Sequence, residues 1–199
     1  MFFVGKRVTP PEYNVHAIMG MRNTGTLLCW YQSVALVEIL LSAGITARIV
    51  KCLPKIYERD DMHMAVLVFD HEKSRWFFVD PTFNTFFYSD AKDALDIFEI
   101  RAAYQTGEIP AFRHITIDKQ WVLVCSGITC ETYDVWYTLY MAKNVFRFMS
   151  PAKTHYNCLS DAQALWISIT PSKYHARNAY DKGKNTTRIH NMNAFLQKP

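Results

Sequence analysis

The stretch that decides the fold is residues 24–44, with the sequence TGTLLCWYQSVALVEILLSAG. Apolar side chains recur in it at helical spacing, which predicts an amphipathic helix; they are Leu28, Trp30, Tyr31, Val34, Ala35, Val37, Leu40 and Leu41. Residues 24–26 supply start signals, and Gly44 stands where a C-cap is expected. Cys29 therefore falls near the first turn, where unpaired backbone N–H groups and the helix dipole favour a thiolate.

The hairpin that follows this helix supplies a second pattern. Residues 45–53 read as a strand, and two further strands, 62–70 and 75–80, are joined by a short polar connection. Placing Leu67 opposite Trp76 aligns the apolar positions and puts His63 opposite Asp80. A slip of two residues keeps this pair on one face of the sheet, whereas a slip of one separates it.

The rest of the chain alternates between helical and extended patterns, so we predict an α+β fold in which the Cys29 helix packs on an antiparallel sheet. Before and after the hairpin we predict a short helix or extended arm over 14–21, and an aromatic segment over 82–88 that lies over the sheet edge or lines a cleft. Further along the chain we predict a helix over 90–106 stopped by Gly107, short strands at 115–117 and 121–125, a helix over 131–148, a strand over 164–170, and from 172 a tail that wraps the surface or frays. The apolar stripe of the helix over 131–148 consists of Val135, Trp136, Leu139, Tyr140, Val145 and Phe146.

Length and composition bound the class of protein. The chain has 199 residues, of which 50% are hydrophobic and 15% aromatic, so we expect one domain over 1–199 with a substantial core. No apolar run approaches the roughly 18 residues of a membrane-spanning helix. No export signal is visible, which favours the cytoplasm; export, with the leader missing from this sequence, is the alternative. Oligomeric state stays open.

The cysteines and the charge leave two other functions to weigh. Five cysteines form no regular framework, which favours free thiols, and the gap between Cys125 and Cys130 is poor zinc spacing, so we expect neither metal nor cofactor. Much of the net charge of +4 lies in the basic tail, 172–199. We interpret it as a solvated tail and expect no nucleic-acid partner, since no aromatic-basic binding motif accompanies it.

Three residue types in order suggest nucleophilic catalysis. A thiol nucleophile needs a base that deprotonates it and a third group that orients the base, and Cys29, His63 and Asp80 are of those types. The backbone N–H of Cys29 is a candidate oxyanion donor, and the side chain of Asn23 is a candidate helper. The alternatives are a small buried thiol, a hydrogen-bonded strand histidine and an aspartate that starts the turn at Pro81.

Four linked motifs resemble the transglutaminase-like superfamily. They are GTLLC at 25–29, GITAR at 44–48, His63 opening a strand, and WFFVDPT at 76–82. The Cys-Trp pair is similar to that of papain-like enzymes, although papain's histidine lies much further downstream. The likeness covers about 25–84 and is greatest to small bacterial transglutaminase-like proteins. It departs after His63: many members have an aromatic residue right after the His-Ala-type start of that strand, whereas Met64, Ala65 and Val66 follow here. Residues 85–171 match no motif.

The resemblance implies a papain-like core with Cys29 as nucleophile, His63 as general base and acid, and Asp80 as the orienting carboxylate. It implies cysteine-dependent acyl transfer on amide bonds through a thioester. We favour hydrolysis of a peptide or protein, cell-wall peptide included, because no site for an acceptor amine is visible. Amine transfer to protein glutamine, or a non-catalytic module that binds peptide or glycan through residues 83–88, are the alternatives.

Overall fold

An eight-stranded sheet with helices on both faces forms the body of the protein. The computed structural model describes residues 8–21, 27–55, 62–114, 130–153, 165–170 and 185–197, without the side chains of 114 and 130–133. Within these ranges the helices are α1 (Val15–Gly20), α2 (Cys29–Ser42), α3 (Ile97–Thr106), α4 (Cys130–Asn144) and α5 (Met192–Phe195). The strands are β1 (Ala47–Leu53), β2 (His63–Asp70), β3 (Arg75–Asp80), β4 (Thr85–Tyr88), β5 (Ala111–His114), β6 (Arg147–Pro151), β7 (Trp166–Ile169) and β8 (Thr186–Ile189).

The strand order is β5-β4-β3-β2-β1-β6-β7-β8. Every described neighbour pair is antiparallel except β7 with β8, which is parallel. The prediction of an α+β fold with a mainly antiparallel sheet is therefore confirmed at that level. The central strands β1 and β2 are buried almost throughout, as expected for a sheet covered on both sides.

Two apolar clusters lie on opposite faces of the sheet because side chains alternate along each strand. On one face, α1 and α2 pack over Ala47, Ile49, Met64, Val66 and Val68. On the other, residues of α3, α4 and α5 pack over Val50, Cys52, Ala65, Leu67, Phe69, Trp76, Phe78 and Phe87. The helix that begins at Cys29 thus packs on the antiparallel sheet, as predicted, and it contacts β1 and β2.

The helix α2 ends where the sequence predicted, beside Gly44, and it begins after the N-cap Leu28. It ends at Ser42, and Gly44 follows with a φ of 75°, a left-handed conformation that glycine adopts without strain. The N-cap is Leu28, which makes no side-chain capping bond. The start signals predicted at 24–26 lie outside the described residues. Cys29 is consequently the first helical residue.

The hairpin register differs by two residues from the predicted one. Leu67 lies opposite Phe78 rather than Trp76, and Asp70 pairs with Arg75. The turn decides the register, since Asp70 Oδ1 accepts hydrogen bonds from the backbone N–H groups of Glu72 and Lys73 and closes a four-residue loop. The direct opposition of His63 and Asp80 was therefore wrong, but a slip of two leaves them on the same face.

Two predicted helices have different bounds. The helix predicted from residue 90 begins at Ile97, because Asp96 forms a capping box with Glu99. The helix predicted to reach 148 ends at Asn144, since Arg147–Pro151 pairs with β1 as β6, and that pairing overrides the local helical pattern. Of the segment 82–88, the last four residues form β4. The strands predicted at 115–117 and 121–125 lie outside the described residues.

Residues 185–197 pack against the body of the protein, so of the two expectations for the tail, wrapping and fraying, fraying is wrong for this part. Residues Thr186–Ile189 extend the sheet as β8, and Phe195 on α5 is fully buried. Arg48 donates a hydrogen bond to the carbonyl of Phe195, and the Trp76 indole N–H donates to that of Gln197 at 3.1 Å. The basic composition of the tail did not predict this packing, because the buried contact depends on one aromatic residue, Phe195, among mostly polar ones.

Candidate active site

Three elements bring the candidate residues to one end of the sheet. The helix α2 has 14 residues and is about 21 Å long, while β1 has 7 residues and is about 23 Å long. Only residues 43–46 connect them, so α2 runs back along the sheet and its first residue, Cys29, reaches the level where β1 ends. His63 begins β2 and Asp80 ends β3 at that same level.

His63 and Asp80 form a buried pair. Their diagonal positions on adjacent strands bring His63 Nε2 to 2.6 Å from Asp80 Oδ2, and neither side chain is exposed to solvent. A distance this short is typical of a charge-assisted hydrogen bond, in which the ring N–H donates to a carboxylate. The pairing that the hairpin pattern predicted thus exists as a direct contact.

The second oxygen of Asp80 is held by the backbone that follows it. Asp80 Oδ1 accepts hydrogen bonds from the N–H groups of Thr82 at 3.0 Å and Phe83 at 3.2 Å. Pro81, which lies between Asp80 and Thr82, has no N–H, so the first N–H groups available to the carboxylate are those of Thr82 and Phe83. This turn gives a physical reason for the Asp-Pro-Thr motif, because it fixes the carboxylate with Oδ2 directed at the imidazole.

Tyr137 is a fourth member of this network that the sequence did not reveal. It lies on α4, is fully buried, and donates its hydroxyl to Asp80 Oδ2 at 2.9 Å. The predicted apolar stripe was only partly right: Val135 and Leu139 are 61% and 66% exposed, respectively, whereas Val145 is buried together with Tyr137 and Met141, which the stripe left out. The spacing of that buried set by four residues was the available signal.

Cys29 stands beside the imidazole as a half-buried free thiol. It raises the pKa of His63, an effect that requires the thiol to lie close to the ring. No hydrogen bond of ordinary geometry joins the sulfur to His63 Nδ1, which is buried and unpartnered. Such contacts are often loose in an unliganded site and tighten when substrate binds.

Asp80 controls the charge of His63. Burial by itself lowers the pKa of the imidazole, but the charge of Asp80 and its hydrogen bond raise that pKa well above the ordinary value, and Cys29 adds to the effect. The imidazolium form is therefore favoured at neutral pH. A protonated ring next to Cys29 stabilises a thiolate and holds a proton that can be donated.

A second thiol lies nearby in a different environment. Cys52 pairs directly with His63 across the β1–β2 ladder and is fully buried. Burial first, and then the charges of Asp80 and Cys29, raise the pKa of the Cys52 thiol well above its ordinary range. Cys52 is consequently a packed, protonated thiol, as expected for a small apolar side chain.

Aromatic side chains enclose the histidine. The ring centroids of Phe83 and Tyr140 lie 5.4 and 5.3 Å from that of His63. Trp136 stacks on Tyr140 at 5.2 Å and contacts Phe83 edge-on. Phe83, the residue after the Asp-Pro-Thr motif, lines the site as the aromatic segment 82–88 suggested, and these rings shield the ion pair from water.

Lys51 is a buried cation on the opposite face of β1 from Cys52. Its Nζ lies 3.9 Å from the centroid of a Trp166 ring and 4.9 Å from that of Trp30, the residue after Cys29. Burial lowers the pKa of Lys51 to about 8. The aromatic faces stabilise its charged form, which places a positive charge beneath the first turn of α2.

The resemblance to the transglutaminase-like superfamily depends only on the sequence motifs. No protein-family model, curated protein or solved structure matches the chain.

The described residues were also searched for metal sites and membrane-spanning helices. Among them, no group of three or more His, Cys, Asp and Glu side chains could hold a metal ion. Within those residues, no helix has the length and apolar character needed to cross a membrane. Asn23 lies outside the described residues.

Proposed function

We propose that the protein is a cysteine-dependent acyl-transfer enzyme of transglutaminase-like type that hydrolyses amide bonds in peptides or proteins, cell-wall peptide included. The observation that supports this most is the buried His63–Asp80 pair, 2.6 Å apart, beside a half-buried thiol on the first residue of a helix. A charged pair without solvent is costly, and such pairs are typical of sites that need a perturbed pKa.

The reaction has two halves. The Cys29 thiolate attacks the amide carbonyl, a C–S bond forms, and His63 donates its Nδ1 proton to the leaving amine as the C–N bond breaks. Water then attacks the thioester, His63 accepts a proton from it, and the C–S bond breaks to regenerate the thiolate. The uncapped start of α2, with the N–H of Cys29, provides donors for the oxyanion.

Iodoacetamide labelling against pH tests the ion pair. We expect Cys29 to react at about pH 6.5, where an ordinary thiol of pKa about 8.5 is only about 1% ionised. His63→Ala should slow this labelling by tens-fold, whereas His71→Ala, a change in the exposed hairpin turn, should leave it unchanged. Labelling that rises only near pH 8.5, and equally in all three proteins, would count against the proposal.

Trapping of the thioester tests the chemistry. Incubation with p-nitrophenyl acetate, followed by acid quench and intact-mass analysis, should add one acetyl group at Cys29 in the wild type and none in Cys29→Ser. A fluorescent primary amine with casein as glutamine donor then separates the two fates. We expect no incorporation above the Cys29→Ser background; incorporation would assign amine transfer instead of hydrolysis.

A second candidate function is a non-catalytic module that binds peptide or glycan. The half-exposed pair Phe86 and Tyr88 on β4, with ring centroids 6.1 Å apart, offers an aromatic surface of the kind such ligands contact. If this function is correct, Phe86→Ala should abolish retention of the protein on a peptidoglycan column. Cys29→Ser should be retained as the wild type is, and the wild type should release no more hydrolysis product than Cys29→Ser does.

A further inference from the structure

Tyr137, which was not among the predicted site residues, forms a hydrogen bond with one of them, Asp80. Its hydroxyl lies 2.9 Å from Asp80 Oδ2, the same oxygen that His63 Nε2 contacts at 2.6 Å. The residues are 57 positions apart in the chain, so the contact exists only in the folded protein. An ionised carboxylate only accepts, and Tyr137 is therefore the donor.

The carboxylate of Asp80 then receives four hydrogen bonds. Oδ1 accepts from the backbone at Thr82 and Phe83, and Oδ2 accepts from His63 and Tyr137. The backbone bonds fix one oxygen, and the two side-chain donors share the other. Two donors on one oxygen compete for its charge, so a stronger bond from one weakens the bond from the other.

We propose that Tyr137 is a positioning residue that acts through Asp80, holding Oδ2 in place and moderating how strongly the carboxylate retains the His63 proton. The inference rests on the proposed function, because moderation matters only if His63 must release that charge during turnover. An imidazolium bound too tightly to Asp80 is a poor acid toward a leaving amine. Tyr137 is not placed against substrate.

The packing of Tyr137 allows its hydroxyl to be tested apart from its ring. The ring stacks on Phe87 at 5.9 Å and meets Phe112 edge-on at 5.2 Å, so Tyr137→Phe retains these contacts and loses the donor. Tyr104 is the matched control. It contacts the same Phe87 ring at 6.5 Å, and its buried hydroxyl makes no hydrogen bond to Asp80.

Among the described residues, the titratable groups that face His63 come from four elements. Cys29 approaches from α2, Cys52 from β1 and Asp80 from β3, while Tyr140 and Tyr137 lie on α4. Tyr104→Phe leaves all of these unchanged, and Tyr137→Phe removes one hydroxyl from the set. A difference between the two variants therefore reports the bond to Asp80.

The readout is the proton resonance of His63 Nε2–H in full-length protein with ¹⁵N-labelled histidine, assigned by its absence in His63→Gln. A stronger bond to Asp80 moves this resonance downfield. We expect a downfield shift in Tyr137→Phe and no shift in Tyr104→Phe. A resonance unchanged in Tyr137→Phe, or shifted equally in both variants, would overturn the proposal.

A second variant keeps the proposal testable if Tyr137→Phe does not fold. Fluorotyrosine at position 137 retains the ring and the hydroxyl but makes the hydroxyl a stronger donor, so the His63 resonance should move upfield; no movement would refute the role. The measurement uses the resting protein and needs no turnover. Failure of the thioester experiment would therefore remove the proposed function without deciding whether Tyr137 controls the His63–Asp80 bond.

Discussion

The charge on His63 depends strongly on the neighbouring carboxylate of Asp80, and this dependence should be visible in the stability of the protein. The pKa of His63 is raised from 6.5 in the unfolded chain to about 10, because Asp80 outweighs the opposing effect of burial. A raised folded-state pKa contributes stability that is complete below about pH 6.5 and is lost as the pH rises through 10.

Asp80→Asn should expose this linkage. We expect the difference in free energy of unfolding between wild type and Asp80→Asn to be largest near pH 6 and to narrow steadily toward pH 10. Urea denaturation at a series of pH values measures it, with Asp90→Asn on the exposed surface as control. A gap that stays constant over this range would show that Asp80 does not stabilise the imidazolium.

Lys51 should show the opposite trend with pH. Burial lowers its pKa from 10.5 to about 8, so between these values the unfolded state binds more protons than the folded state, and stability rises with pH. Lys51→Met removes this titration and keeps an apolar stem between Trp30 and Trp166. We expect the stability of wild type relative to Lys51→Met to increase from pH 8 to 10.5 in the same urea assay; an unchanged difference would contradict the shift.

At the scale of elements, local capping rather than apolar periodicity sets where α3 begins. Asp96 Oδ1 accepts from the N–H groups of Phe98 at 2.7 Å and Glu99 at 2.9 Å, and Glu99 returns the bond to the N–H of Asp96 at 2.8 Å. The apolar spacing from residue 94 onward suggested an earlier start. The first backbone N–H groups of any helix lack an acceptor within the helix, and the capping box supplies acceptors for them when α3 begins at Ile97.

Asp96→Ala should therefore weaken the protein by about 1 kcal/mol, within the 0.5–2 range of N-cap losses. Equilibrium urea unfolding, followed by circular dichroism, measures the change. Glu108→Ala, an exposed acidic residue beyond the C-cap Gly107, is the control and should be neutral. A loss no greater than that of the control would mean that α3 is held by packing of Ile97, Phe98 and Ile100 alone.

Two residues of the sequence motifs, Arg48 in GITAR and Trp76 in WFFVDPT, have a structural role that the sequence did not predict. Arg48, in the GITAR segment, stacks over the rings of Trp76 and Phe195 at 4.5 and 5.2 Å and donates to the Phe195 carbonyl. Burial lowers the pKa of Arg48 to about 10, which leaves it charged at neutral pH. Two motif residues, Arg48 and Trp76, therefore hold α5 rather than the candidate site.

At the scale of the whole molecule, the last helix closes the core on the face opposite α2. Phe195 contacts Phe98 of α3 and Phe148 of β6, with centroids 5.7 and 6.5 Å away. It joins three elements far apart in sequence. Phe195→Ala should cost about 3–5 kcal/mol, as large-to-small changes of buried aromatics do.

The control for this change lies on the same helix. Met192 is 48% exposed, so Met192→Ala should cost far less in the same thermal and urea unfolding experiments. Loss of Phe195 should lower stability without moving the His63 resonance, because α5 does not contact the ion pair. Equal effects of the two substitutions would show that residues 191–197 do not contribute to the core.

The sequence by itself determined the features that depend on short-range order. Helical spacing and a following glycine predicted α2, and the apolar pattern with a short connection predicted that His63 and Asp80 share a face. Both features follow from the spacing of apolar residues along a short stretch of chain, which can be read without knowing the tertiary structure. Even the two-residue error in register preserved the contact, since strand side chains repeat every second residue.

Only the tertiary structure decided the rest. The register depended on how Asp70 closes its turn, and the donor from Tyr137 depended on how α4 is rotated over the sheet. The rotation of a helix is set by packing against distant residues, which the predicted apolar stripe did not include. The same reason explains why Phe195 was not predicted as a core residue. A single buried ring in a basic segment has no periodicity, and only its contacts with Phe98 of α3 and Phe148 of β6 show that it belongs to the core.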